Sequence, residues 1–442
     1  MIAKKNSKII LELLREVIFS DKIRMEFRMG DNDFSRKRKQ PFGGVLLFMF
    51  NLLRKSLVIE IDNFIYYLNS KVKSNPIQNF TKSAFVQKRQ KIKPEVFKYL
   101  SQIIILNTYV ESNQDLKLFH GYRVLGVDGS KITLPYTEKL KGEFGVSKNN
   151  TNTVIVQARA SVLYDVLNHL VLDSTLENLK IGERQLALSH SDQWKEKDLI
   201  IYDRGYASYD FKYEHVKKGV DYLIRTSTTH SNVVKSFINS EKKSVVVDVV
   251  PNQKHAIEGK DYTKNSPLKV RLIRIDLPSG EIEVLMTSLL DSIKYPTKIF
   301  KELYFLRWGI ETFYDELKNK LKVEYFTGYS KISIEQDFYC AIFISNLQSI
   351  IVNDLEEELK VQNKDKKYIQ KINTNLSYGF LKNRILELLF KEAPLEQVFS
   401  ELESLFLKNT VPIRENRKNK REVGKYRNRI RPLVLKNQKD AI

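Results

Sequence analysis

Cysteine is nearly absent. Cys340 is the only one in 442 residues, which excludes an intramolecular disulfide framework and suits a reducing compartment. Histidine is scarce as well: His120, His169, His190, His215, His230 and His255 are scattered, with no pair at metal-ligand spacing, which argues against zinc. No run approaches the ~18 apolar residues that a bilayer requires. The nearest, Val45 to Leu53, is short and ends at Arg54 and Lys55. The N-terminus starts basic but has no apolar stretch leading to a small-residue cleavage site, so the expectation is a cytoplasmic chain without a membrane partner. Acidic residues are outnumbered, 53 Asp and Glu against 74 Lys and Arg, for a formal charge of +21. Such a surplus creates a long-range positive field and points to a polyanion, nucleic acid ahead of an acidic membrane.

What is present is ordinary globular composition, 42% hydrophobic and 29% charged, enough for two to four domains. Residues 8–115 carry apolar side chains at helical spacing, as in Ile9, Ile10, Leu13, Leu14 and Val17. Within them, residues 79–97 read as two short basic helices with Pro94 opening the second. They fit a DNA-binding hairpin and a solvated face on a packed helix pair about equally well. From residue 121 the texture changes to strand, hairpin, helix, strand, helix, strand. The strands are Arg123 to Asp128, Ala158 to Tyr164 with Leu170 to Ser174, Asp198 to Asp203, and Tyr222 to Arg225. Residues 228–296 are β-rich, with a hairpin turn at Pro278 to Glu281. One long helix is predicted from Pro296 to about Leu321, and helices continue to about Leu407. The end, Arg414 to Lys436, reads as an extended basic tail.

Asp128 and Asp203 share a context: each is expected to end an apolar strand and lead into a turn, Gly129-Ser130 or Arg204-Gly205. Carboxylates at strand ends sit where α/β sheets hold their sites. A single Asp-Gly after a strand is more often only a turn, but two on neighbouring strands suit a divalent cation, which wants converging anionic oxygens. On one continuous helix, Tyr304, Arg307, Glu311 and Lys318 fall within ~60° of one another at ~100° per residue. Spacing alone is equally consistent with an amphipathic helix bearing an Arg307–Glu311 pair, worth a few tenths of a kcal/mol.

These residues also carry a family resemblance. The pattern Y-x-x-R-x-x-x-E-x-x-x-x-x-x-K over Tyr304 to Lys318 follows Val127-Asp-Gly-Ser130, Gly182-Glu-Arg-Gln185, Asp203-Arg-Gly-Tyr206 and Met286-Thr-Ser-Leu289. Together they resemble DDE transposases of the insertion sequence four family, across roughly residues 118–325.

The resemblance implies an α/β fold: an RNase H-like catalytic core interrupted by a β-rich insert, with helical N-terminal and C-terminal regions. The expected divisions are a helical region at 1–117, a core at 118–227 and 297–407, an insert at 228–296 and a basic tail at 408–442. It implies Asp128, Asp203 and Glu311 as an acidic triad holding two Mg²⁺ ions, with Mn²⁺ able to substitute. Tyr304, Arg307, Lys318 and Arg204 are then expected to contact DNA, Arg as a bidentate phosphate ligand and Lys as a point charge. The implied activity is metal-dependent cleavage at the ends of an insertion sequence and transfer of the 3′-OH into target DNA. The implied partners are inverted-repeat ends and target DNA, with a homodimer on paired ends in a nucleoid-associated setting. An RNase H-like nuclease without strand transfer is the alternative, and a non-catalytic DNA-binding descendant is disfavoured by the intact carboxylates. One departure stands out. Relatives place a stacking tryptophan in the β insert, whereas this chain has only Trp194 and Trp308 and offers Tyr262 or Phe237 instead.

Overall fold

The computed structural model describes residues 5–36, 39–71, 79–110, 113, 116–148, 152–251, 261–263, 265–390 and 393–413. Residues 414–442 of the basic tail predicted at 408–442 lie outside the described residues, and its start closes the helix Leu395–Lys408 and forms the short strand Thr410–Pro412. The chain divides into two compact units, one of Met1–Val96, Leu317–Thr327 and Leu347–Ile442, the other of Phe97–Glu316 and Gly328–Asn346.

The first unit is helical. Its described N-terminal helices are Asn6–Ile18, Asp21–Phe27, Phe42–Phe50, Leu57–Lys71 and Lys82–Arg89. The apolar run around Val45 is indeed a buried helix, with Val45 through Phe50 all inside. Phe48 packs edge-on against Phe64, Phe80 and Phe85, with ring centroids 5.1, 5.7 and 4.7 Å away, a preferred aromatic geometry. Ser20 and Thr81 cap the helices that follow them by accepting from Ile23 and Ala84 N–H.

The second unit is built on a mixed sheet. Its strands are β1 (Arg123–Thr133), β2 (Val146–Lys148), β3 (Val154–Asp165), β4 (Leu170–Asn178), β5 (Asp198–Tyr202), β6 (Asp221–Thr226), β7 (Ser244–Val249), β8 (Leu268–Asp276) and β9 (Ile282–Thr287). The path runs β2-β3-β1-β5-β6-β9-β8-β7, with β4 also on β3. β1, β3 and β4 are antiparallel neighbours, whereas β1, β5 and β6 are parallel. Every residue of β5 is buried, as expected for a strand covered on both faces.

A buried bidentate ion pair registers the two central strands at their start. Arg123 Nε and Nη2 meet Asp198 Oδ1 and Oδ2 at 2.7 and 2.8 Å. The segment predicted as β-rich joins this same sheet, since β9 pairs with β6. The helix Asn232–Asn239 covers it through Val234 and Phe237, which pack with Val270, Leu272 and Met286.

Two expectations change. β1 does not stop at Asp128 but continues to Thr133, because β3 pairs with it from Leu125 to Thr133 while β5 leaves after Gly126. The single long helix is broken into Ile299–Phe305 and Trp308–Asp315 and ends in a π-turn, Glu316–Lys320. At the break Arg307, Gly309 and Ile310 N–H bond three residues back, to Tyr304, Leu306 and Arg307 carbonyls. Gly309 is both a poor helix former and a close neighbour of Val166, which a Cβ there would approach to 3.4 Å.

Candidate active site

The site starts from strand register. β1 and β5 pair in parallel from Arg123↔Asp198 to Gly126↔Ile201. Continuing that register sets Asp203 opposite Asp128, and matched residues of parallel strands point to the same face. The two aspartates are therefore neighbours, Asp128 in mid-strand and Asp203 just past the end of β5. Each is braced by backbone: Asp128 Oδ1 accepts from Gly129 N–H at 2.8 Å and Asp203 Oδ1 from Gly205 N–H at 2.7 Å. A Cβ on residue 205 would stand 3.0 Å from that Asp203 oxygen, so a side chain there would press on the carboxylate. Arg204, on the same turn, is exposed.

The helix Trp308–Asp315 brings the third carboxylate. Ile310 lies against Gly126, where a Cβ would be 3.5 Å from it. One turn on, Tyr314 donates its hydroxyl to the Asp128 carbonyl at 3.0 Å. Glu311, between those anchors, accepts from Arg307 Nη2 at 2.7 Å. The Arg307 guanidinium also sits over the Tyr304 and Trp308 rings, 5.8 and 5.1 Å from their centroids.

Asp128 lies within the field of both other carboxylates. Burial pushes the Asp128 carboxyl up to about 6, and repulsion from Asp203 and Glu311 adds to the rise against relief from Gly129 N–H and Arg307. Among the described residues no three His, Cys, Asp or Glu side chains form a ready-made metal cage. The donor chemistry nonetheless fits a hard divalent cation, because all three groups offer carboxylate oxygen and Asp128 remains raised by burial and by its two acidic neighbours. Lys318 falls in the other compact unit, on the π-turn, where burial holds its ammonium below the ordinary lysine value.

Two polar atoms on the expected DNA-contact residues have no hydrogen-bond partner: the Tyr304 hydroxyl and Arg307 Nε, in side chains only 5% and 6% exposed. Burial pushes the Tyr304 hydroxyl up to about 12, so it stays a neutral donor.

Glu183 and Tyr206, from the Gly182-Glu-Arg-Gln185 and Asp203-Arg-Gly-Tyr206 motifs, also stand at this site. A Cβ on Gly129 would stand 3.0 Å from Glu183 Cγ. Tyr206 is buried with an unpartnered hydroxyl in the field of Asp128, Glu183 and Asp203. Recurrence of acidic residues at the mouths of three separate elements was the available signal. The two aromatic candidates for base stacking are instead packed inside: Phe237 belongs to the β7–β9 core, and Tyr262 lies against the Tyr209 and Tyr213 rings.

Fold and geometry thus define an α/β protein in which Asp128, midway along β1, and Asp203, just past the end of the parallel strand β5, stand side by side. Residues 119–347, just over half of the chain, match the family of transposase DDE domains, and the chain belongs to that family. A curated relative is the transposase InsG for insertion sequence element IS4 of Escherichia coli (strain K12), 23% identical over 256 residues. That alignment covers 54% of each protein, so the chain spans about half the length of the curated relative it matches. Among solved structures, the cryo-EM structure of the piggyBac transposase synaptic complex with hairpin DNA aligns at TM-score 0.41 and 8% identity. It covers 90% of this chain and 81% of that one.

Proposed function

We propose that this chain is a transposase that cuts DNA at the ends of its own insertion sequence and joins the freed 3′-OH to target DNA. The observation that carries the reading is the register-matched pair Asp128 and Asp203 with Glu311 held over β1 by Ile310 and Tyr314, in a chain of the transposase DDE family. The order β4-β3-β1-β5-β6, antiparallel then parallel, supports an RNase H-like core, with β7 to β9 as its insert. Asp128, Asp203 and Glu311 would hold divalent cations, Mg²⁺ in the cell. Bound there, the cations supply an activated hydroxyl nucleophile and stabilise the leaving oxygen.

The protein's own part is to position. Arg307 bridges Glu311 and the incoming phosphate, and its unpartnered Nε is a donor in reserve for a phosphate oxygen. Tyr304 donates from its buried hydroxyl, while exposed Arg204 adds positive charge along the strand. The helical region at 1–117 takes part in DNA binding, and paired ends imply a homodimer on DNA in the cytoplasm, at the nucleoid.

The test is a labelled-end assay with Mg²⁺ on the DNA flanking the coding region, resolving nicked, double-cut and joined species. Asp128→Ala, Asp203→Ala and Glu311→Ala should abolish cleavage while sparing end binding. Arg307→Ala should retain some nicking and lose most joining, because its grip matters most when a cut end is aimed for its second attack. If the wild type cuts but never joins, a nuclease replaces the transposase.

A further inference from the structure

The first compact unit holds a groove of about 830 Å³ that the proposed chemistry does not use. It lies between the segment after the helix Asp21–Phe27 and the helix Lys82–Arg89 with the residues that flank it. Its lining carries four cations, Arg36, Lys39, Lys88 and Lys91, against one carboxylate, Asp33. Asp33 is already claimed by Lys91 and by Gly30 N–H. Two aromatic rings, Phe34 and Phe80, belong to the same lining.

One feature of this groove is costly unless something occupies it, and a second is a strained backbone beside it. Gln40, part of the lining, is 6% exposed, yet neither its amide oxygen nor its amide nitrogen has a hydrogen-bond partner. Phe34 is held at φ 56°, in the left-handed region that bulky residues avoid. That conformation is fixed by Arg24, which donates to the Phe34 carbonyl at 3.1 Å, and it turns the ring beneath Lys88 Nζ at 5.0 Å. Backbone strain of this kind persists where the surroundings over-determine it and clusters at ligand sites.

From these we infer that the groove takes an unpaired nucleotide of a DNA strand, with Gln40 reading the base edge and the lysines and arginine holding the flanking phosphates. A carboxamide presents a donor beside an acceptor, which matches the N6 and N7 edge of adenine. A concave site cannot enter a duplex groove, so the base must leave the stack to reach it. Phe80 is only half-buried, so part of its ring is open to an unstacked base, whereas Phe34 is packed inside. The proposal rests on the transposase reading for its choice of DNA as the polyanion.

The experiment uses the full chain and fluorescence polarisation with three labelled probes: a perfectly paired duplex, the same duplex with one extrahelical adenine, and its single strand. Wild type should bind the bulged duplex and the single strand at least about tenfold more tightly than the paired duplex. Gln40→Leu should erase that preference and leave paired-duplex binding within about twofold. Arg36→Ala with Lys39→Ala, both at the surface, should weaken all three and flatten the salt dependence by ~0.7 per lost contact on the single strand. Equal binding of bulged and paired duplex, or a preference that survives Gln40→Leu, would overturn the inference. Competition by free deoxyadenosine monophosphate as strong as that by the strand would overturn the strand assignment. Because Gln40 is remote in sequence from the carboxylates, end cleavage by wild type reports on the transposase reading separately.

Discussion

Replacing Asp128 by Asn should stabilise the protein at alkaline pH and not at acid pH. In the folded chain its carboxyl titrates at about 6 rather than 3.8, chiefly through burial. The charged groups facing it are Asp203, Glu311 and Arg307, with Glu183 across Gly129. A raised carboxyl pKa means the folded state binds the proton more tightly than the unfolded state. Below pH ~4 both states are protonated and nothing is lost. Between pH 4 and 6 the unfolded chain has released its proton while the folded chain retains it, so stability falls as pH rises. Above pH 6 the full penalty is present. At 1.36 kcal/mol per pH unit the rise from 3.8 to about 6 amounts to roughly 3 kcal/mol, an upper bound for a half-buried group.

Asn keeps the shape and the bond from Gly129 N–H while removing the charge. Urea unfolding of wild type and Asp128→Asn in EDTA, at pH 4 and pH 8, isolates the effect as a difference of differences, since any pH-independent cost of Asn cancels. The variant should gain about 2–3 kcal/mol relative to wild type between the two conditions. Saturating Mg²⁺ at pH 8 should then restore the wild type by about 2.7 kcal/mol at a hundred times its dissociation constant, with a much smaller response in the variant. A stability gap that is the same at pH 4 and pH 8 would refute the electrostatic account of this site.

Two further perturbations test the frame around it. Arg123→Met leaves Asp198, 1% exposed, as an unpaired buried carboxylate and should cost about 3–5 kcal/mol in urea unfolding, most of it recovered by adding Asp198→Leu. A loss under about 1 kcal/mol would mean the pair does not hold β1 to β5. Gly126→Ala puts a methyl 3.3 Å from Val166 Cγ1 and 3.5 Å from Ile310 Cβ. It should cost about 1–3 kcal/mol and reduce cleavage more than DNA binding, because the helix that carries Glu311 must shift; equal loss of both would separate that helix from the chemistry.

Much of the second unit's sheet was legible because its strands write themselves in composition. Asp198-Leu-Ile-Ile-Tyr202 is an apolar run of strand length, and the turn at Asp165 to Asn168 is marked by its own side chains. Asp165 Oδ1 accepts from Leu167 and Asn168 N–H at 2.9 and 2.8 Å, a local signature that short-range reasoning can read. Partnership at long range was not legible. Gly129-Ser130 has the residues of a turn, yet the strand runs through it because β3 supplies partners out to Thr133. Nothing in the sequence near Arg123 announces that Asp198, 75 positions away, will bury it.

The broken helix shows which part of a spacing argument survives a wrong premise. The predicted stripe assumed one helix from Tyr304 to Lys318, and the structure interrupts it on both sides of Glu311. Arg307 and Glu311 stay paired at 2.7 Å although three-residue bonds tighten the chain through the three residues between them. Tyr304 stays beside Arg307 because a three-residue bond, from Arg307 N–H to the Tyr304 carbonyl, closes the break over them. The tighter turn has a consequence for chemistry. It buries the Tyr304 hydroxyl and Arg307 Nε with no partner, at a cost of about 1–3 kcal/mol each for an unsatisfied donor. A straight helix with exposed side chains would carry no such cost and no such readiness. Donors left unpaired beside three carboxylates are those a bound phosphate can satisfy without first breaking another bond, which is the preorganisation that phosphoryl transfer requires.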